Sequence, residues 1–275
     1  MVLKNAEPSG IFLNIFIWLC TMNMSKDKQV MPETSKTDQP YDESFYDFIA
    51  KSSRQSAKEI VPLVLEFIRP QSVVDVGCGT GAWLSVFREQ GIKDILGIDG
   101  DYVDLNSLLV PKESFQAHDL VCPLRIGRKF DLVVSLEVAE HISPQYAKTF
   151  VESLVRLGPV VMFSAAIPYQ GGANHVNEQW QDYWRNLFSE HGFEAVDFVR
   201  KRVWGNPRVG PWFAQNIVMY IQKDYLDENL PLKEEWTKTD FPLSVVHPKH
   251  YENLVLLNNV GLRRTLQAMP KMIFE

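Results

Sequence analysis

The chain has 275 residues, 45% of them hydrophobic and 23% charged, which is ordinary for a soluble globular protein and allows one sizeable core with tails, or at most two small domains. A net charge of −6 disfavours non-specific nucleic-acid binding. Three scattered cysteines, Cys20, Cys78 and Cys122, exclude a disulfide framework or a CxxC metal site, so a reducing, cytoplasmic compartment is expected.

Ile11 to Cys20 is apolar except for Asn14. It is too short for a membrane span, which takes about 20 residues. Only Lys4 precedes it, Glu7 adds an acid, and no small-residue cleavage site follows. Residues 1–40 therefore read as a flexible leader, or as sequence ahead of a start at Met22 or Met24. No stable membrane insertion is expected.

From Tyr41 the pattern is helical. Phe45, Phe48 and Ile49 share one face of a first helix; Ile60, Leu63, Val64 and Ile68 share a face of a second, stopped by Pro70. Strands and helices then alternate. Strand one is 73–77, and its helix carries Trp83, Leu84 and Phe87 and closes at Gly91. Strand two is 94–98, ending at Asp99, and a short strand three lies at 114–117 before His118 and Asp119. Strand four is 130–136. Ser143 then caps a helix with Pro144 at its first position and Tyr146, Phe150, Leu154 and Leu157 as its buried stripe. Strand five is 160–164, followed by a helix with Trp180, Trp184, Leu187 and Phe188. Strands six (193–199) and seven (215–221) are joined by a loop of about fifteen residues. That connection lacks a crossover helix, so the pair should be antiparallel. Repeated βα units otherwise imply a parallel sheet with helices on both faces. Residues 224–275 read as an extension whose amphipathic helix, with Leu254, Leu256, Leu257, Val260 and Leu266, either packs on the domain or supports a homo-oligomer.

Ligands bind outside the carboxyl ends of such strands. Strand one ends in Gly77-Cys78-Gly79-Thr80-Gly81, a turn that lets backbone approach a ligand. Asp99 can accept both hydroxyls of a ribose, and Asp119 an adenine amino group, with Leu120 beside the ring. Strand four ends in Ser135-Leu136-Glu137 on the same rim. Gly77, Gly79 and Ala82 also satisfy a dinucleotide pattern. Asp75 inside strand one and the reversed final strand argue against that reading.

Val74-Asp75-Val76-Gly77-Cys78-Gly79-Thr80-Gly81-Ala82-Trp83-Leu84 resembles the first motif of class I S-adenosylmethionine-dependent methyltransferases. Ile98-Asp99, His118-Asp119-Leu120 and Phe130 to Val134 resemble the later motifs, in order and at the usual spacing. The resemblance covers residues 41–223. It implies a Rossmann-like, doubly wound α/β fold of seven strands, mostly parallel with strand seven antiparallel. It also implies that Asp75 and the glycines border the methionine portion, Asp99 the ribose and Asp119 the adenine.

Methyl transfer from a sulfonium is an in-line displacement, in which a protein supplies alignment and, for a hydroxyl acceptor, a base or a metal. Glu137-Val138-Ala139-Glu140-His141 follows strand four, and in a helical turn 137, 140 and 141 share a face. With His175 they make a mixed O/N set for Mg, Mn or Zn. This E-x-x-E-H with a distant His resembles two metal-using branches, the small-RNA 3′-terminal 2′-O-methyltransferases and the ubiquinone-pathway O-methyltransferases. In the metal-free alternative, Glu137 and Glu140 are solvated or paired and His141 orients the loop or acts as base. His141 and His175 are the catalytic candidates either way, and Glu137 is a third.

Arg200 to Phe213 brings cations and aromatics, which either border the acceptor or form a solvated basic hairpin. The expected activity is O-methylation of a small-molecule or saccharide acceptor. RNA 2′-O-methylation and a non-catalytic cofactor-binding subunit are the alternatives, the first weakened by the acidic charge.

Overall fold

The computed structural model describes residues 43–239, 242–252, 254 and 255. Tyr41–His247 form one compact unit, and the described residues from Pro248 onward are helical and belong to a second. The leader lies outside the described residues, as does most of the predicted C-terminal helix.

Seven strands form one sheet in the order β3-β2-β1-β4-β5-β7-β6. They are β1 (Ser72–Val76), β2 (Asp94–Asp99), β3 (Phe115–Ala117), β4 (Leu132–Leu136), β5 (Val160–Ser164), β6 (Phe193–Val196) and β7 (Val218–Gln222). β1 pairs in parallel with β2 and β4, β2 with β3, and β4 with β5; β7 runs antiparallel to β5 and β6. This is the expected Rossmann-like sheet with strand seven reversed. β1, β4 and β5 are buried along their whole length because helices cover both faces.

One face is packed by α1 (Glu43–Phe67) through Ile60 and Val64, and by α2 (Ala82–Glu89) through Leu84 and Phe87. The other is packed by α3 (Ala147–Leu157) through Phe150 and Leu154, and by α4 (Gln181–Ser189) through Trp184 and Phe188. Alternation along β1 sends Val74 and Val76 to the α3/α4 side, so Asp75 faces α1 and α2 with Val73.

Three local expectations are corrected. The two helices expected before β1 are one helix, α1, with Pro62 inside it. The helix after Ser143 begins as a 3-10 turn, Pro144–Tyr146, leaving Tyr146 exposed, and Trp180 likewise falls just outside α4 and is exposed. The β6–β7 connection is not a plain loop. It contains α5 (Val199–Val203) and α6 (Pro211–Asn216), each under two turns. Two short helices, α7 (Lys223–Glu228) and α8 (Leu230–Thr237), follow β7.

Candidate active site

The turn after β1 is tied to the end of β2. Gly77 N–H donates to the Ile98 carbonyl at 2.7 Å, and Gly79 N–H donates to Asp99 Oδ2 at 2.7 Å. Gly77 has φ +86, and a Cβ there would fall 2.3 Å from Val138 Cγ2. The turn therefore needs glycine both for its left-handed backbone and for its closeness to the segment after β4.

Asp99 is buried, and besides the Gly79 bond on Oδ2 its Oδ1 accepts from Gly100 N–H at 2.7 Å and from the Tyr102 hydroxyl at 2.5 Å. That bond, with burial as the larger cause, pushes the Tyr102 phenol up. Burial first, and the Asp99 charge second, push the Asp75 carboxyl well above the usual carboxylate range. Burial, Asp75 and Asp99 push the Cys78 thiol up. Asp75, Cys78 and Asp99 thus share one neighbourhood. Asp119 is exposed, and its Oδ1 accepts from Val121 N–H at 3.2 Å; Leu120 is half-buried beside it. Ser135 is fully buried, and its hydroxyl has no hydrogen-bond partner among the described residues.

After β4 the backbone turns at Glu137, which has φ 55, and continues as a 3-10 turn over Ala139–His141. The left-handed residue separates the two glutamates. Glu137 faces a network of amides: Gln170 Nε2 donates to its Oε2 at 2.9 Å and Asn216 Nδ2 to its Oε1 at 3.1 Å. Gln215 Nε2 donates to Gln170 Oε1 at 3.2 Å behind them. Burial raises the Glu137 pKa, and the bonds from Asn216, Ser164 and Gln170 oppose that.

Glu140, His141 and His175 instead converge, with one ligand atom from each lying within 4.8 Å of the others. Glu137 is not in that group. The convergence has a backbone cause. The Glu140 carbonyl accepts from Val176 N–H at 2.9 Å and Asn177 N–H at 3.0 Å, which lays the loop after β5 across the 3-10 turn. The two imidazoles then meet edge to face with centroids 4.9 Å apart. Burial first, and the Glu137 charge second, push the Glu140 carboxyl well above the usual range. Its buried Oε2 has no hydrogen-bond partner among the described residues. His141, open to solvent on one side, has its pKa lowered by burial on the other and by His175, against the opposing pull of the Asn174 backbone and Asp99.

One carboxylate and two imidazoles are an O/N donor set suited to a divalent cation, and the orphaned Glu140 oxygen is what such an ion would satisfy. The same set without an ion offers a neutral imidazole beside the glycine turn.

Sequence reasoning left the cations of 200–213 either at the acceptor or on a solvated hairpin; the structure pairs them within the fold. Arg200 is buried, bonded to Asp197 through Nε (2.9 Å) and Nη2 (2.6 Å) and to the Gln215 and Leu243 carbonyls through Nη1. Arg202 pairs with Glu235, Arg208 with Glu59, and Lys201 donates to the Lys238 carbonyl. What this connection does send to the site is Asn216. Sequence reasoning also missed Gln170, Tyr102 and Glu178, although Glu178 stands only three residues beyond His175.

Residues 48–197 match the methyltransferase domain family. Among solved structures, DesVI of Streptomyces venezuelae is 17% identical, with a TM-score of 0.50, covering 65% of this chain and 95% of its own. The sugar N-methyltransferase KedS8 of Streptoalloteichus is 16% identical, with a TM-score of 0.51, covering 71% and 99%. The methyltransferase domain of bacterial CtHen1 is 18% identical, with a TM-score of 0.46, covering 62% and 99%. No curated protein matches the chain. Among the described residues, no helix is long and apolar enough to cross a membrane.

Proposed function

The chain belongs to the methyltransferase domain family, with S-adenosylmethionine as its cofactor, and we propose from that premise that it methylates a hydroxyl of a small-molecule or glycan-type acceptor. The cofactor would lie over the turn after β1. Asp75, Gly77, Cys78, Gly79 and Gly81 would border its methionine portion, Asp99 its ribose, and Asp119 and Leu120 its adenine. Ser135 would back the pocket from within β4.

The observation that carries the O-directed reading is the cluster of Glu140, His141 and His175 beside that turn. A sulfonium brings its own leaving group, so the protein must align the acceptor for in-line attack. A neutral amine attacks with a lone pair it already has. A hydroxyl must lose a proton, and a neutral imidazole at the rim is where that proton can go. Without a metal, His141 is the base, with His175 against its ring and Glu137 held by amides behind. With one, Glu140, His141 and His175 would hold Mg, Mn or Zn, whose charge would make the acceptor hydroxyl acidic enough to lose its proton without His141 as base. The shared fold of a sugar N-methyltransferase supports an acceptor of saccharide size. With the 200–213 cations paired elsewhere, a neutral acceptor suits the site better than an anionic one.

The test is transfer from methyl-labelled cofactor into a metabolite and glycan extract and, separately, into total RNA, each with and without chelator. The expected product is a chelator-sensitive methyl ether in the small-molecule fraction, restored by Mg, Mn or Zn. A methylamine product, or label in RNA alone, overturns the acceptor assignment. Cofactor binding with no transfer to either pool overturns catalysis. Full activity in chelator removes the metal and leaves His141 as base.

A further inference from the structure

The loop after β5 carries one carboxylate on which three donors converge. Glu178 Oε1 accepts from Gly171 N–H at 2.8 Å and lies 2.9 Å from His175 Nδ1; its Oε2 accepts from Tyr169 N–H at 2.8 Å. Tyr169, Gly171, Gly172 and Asn174 all have positive φ, so this loop is wound tightly through backbone that side chains disfavour. Glu178 closes the winding and touches the imidazole at its end.

The chemistry of that contact is one-directional. A carboxylate already accepting two backbone N–H bonds offers only lone pairs, so the ring nitrogen facing it must bring the proton. Nδ1 of neutral His175 then carries hydrogen, and Nε2 holds the ring's one free lone pair. A Cβ on residue 172 would fall 2.2 Å from Nε2, so only glycine there leaves room for the imidazole.

We propose that Glu178 is the positioning residue of this site: its carboxylate holds His175 as the Nδ1–H tautomer and makes Nε2 the nitrogen available to a metal or an acceptor proton. The proposal rests on the role given to His175 above. It adds the group that sets the state of that ring, through the same carboxylate that folds the loop. Carboxylate partners of this kind act on orientation and basicity, and losing one costs about 10- to 100-fold in metal affinity or activity.

Glu178→Gln is the informative change, because it keeps shape and reverses one polarity. Both carboxylate oxygens accept a backbone N–H, so in either orientation the amide nitrogen, which can only donate, faces one of them, and toward Gly171 it also makes His175 Nδ1 an acceptor. The measurement is the imidazole tautomer of His175 by nitrogen NMR on the free, histidine-labelled enzyme, assigned against His175→Gln. The wild type should show Nδ1–H. Glu178→Gln should show the other tautomer or a mixture, with turnover down 10- to 100-fold and cofactor affinity within about twofold of wild type.

A wild-type ring protonated at Nε2 overturns the proposal, as does a Glu178→Gln enzyme whose tautomer and turnover both stay unchanged. A switched tautomer with full turnover overturns the positioning role and leaves Glu178 a loop clip. If Glu178→Gln does not fold, the wild-type tautomer still decides. The tautomer is read without acceptor or cofactor, so a wrong acceptor assignment leaves this result standing and is told apart from it.

Discussion

Gly77→Ala tests the contact that joins the donor turn to the acceptor segment. Two costs can be read from the structure. With φ +86, an alanine pays about 1–2 kcal/mol for a left-handed backbone. Its Cβ would meet Val138 Cγ2 at 2.3 Å, Cγ1 at 2.8 Å and Cβ at 3.1 Å, all in buried surroundings. Overpacking of that kind costs about 1–3 kcal/mol. The expected loss is the sum, roughly 2–5 kcal/mol, a large fraction of the 5–15 kcal/mol that holds a domain folded. Val138→Ala alone removes two buried carbons and should cost roughly 1.6 kcal/mol. In the double variant that truncation deletes the two shortest contacts and leaves the third, so the overpacking cost falls and the backbone cost stays. Urea melts of the four proteins should therefore show a favourable coupling of about 1–3 kcal/mol. Cofactor titrations should run in parallel: Gly77→Ala weakens binding at least tenfold, and Val138→Ala recovers part of it. Additive stabilities would refute the contact. Unchanged cofactor affinity in a stable Gly77→Ala protein would refute the turn as donor site.

Asp99→Asn keeps the shape of a side chain that receives three donors and removes the charge. At about 1.5–3 kcal/mol per bond to a charged group, cofactor affinity should fall roughly 10- to 100-fold by calorimetry; unchanged affinity would refute the ribose contact. His141 has its pKa lowered from the ordinary value of 6.5, so its neutral form persists to lower pH. Turnover should rise with pH on a single acid limb with its midpoint below 6.5 and be lost on the acid side as the ring protonates. A midpoint at or above 6.5 would refute the assignment. Arg200→Ala strands a buried Asp197 and should cost about 3–5 kcal/mol in denaturant melts, with cofactor affinity of the folded protein unchanged. Unchanged stability with a raised acceptor KM would return Arg200 to the pocket.

The sheet was legible because its physics is local. Buried runs such as Val73–Val76 and Leu132–Leu136 announce strands covered on both faces, and the glycine turn and strand-end acids mark the rim. The β6–β7 connection was not, because α5 and α6 have five and six residues and no helical period can show in so few. Arg200 could be read as an acceptor-facing or a solvated cation because charge in sequence carries no burial. Its pairing with Asp197, three residues before it, appears only once the turn leading into α5 is known.

The site divides the same way. Spacing put 137, 140 and 141 on one helical face, but spacing has that meaning only if the backbone is helical. Glu137 is left-handed, and that one residue turns its carboxylate to Gln170 and Asn216. Glu140 remains as the carboxylate facing the two imidazoles. The second imidazole arrives by a different rule, since His175 is brought in by N–H groups of its own loop on the Glu140 carbonyl. Glu140 therefore acts twice, with its backbone assembling the cluster that its side chain completes. A substitution that spares the side chain's charge but disturbs that carbonyl would be expected to separate the two histidines as surely as removing one of them.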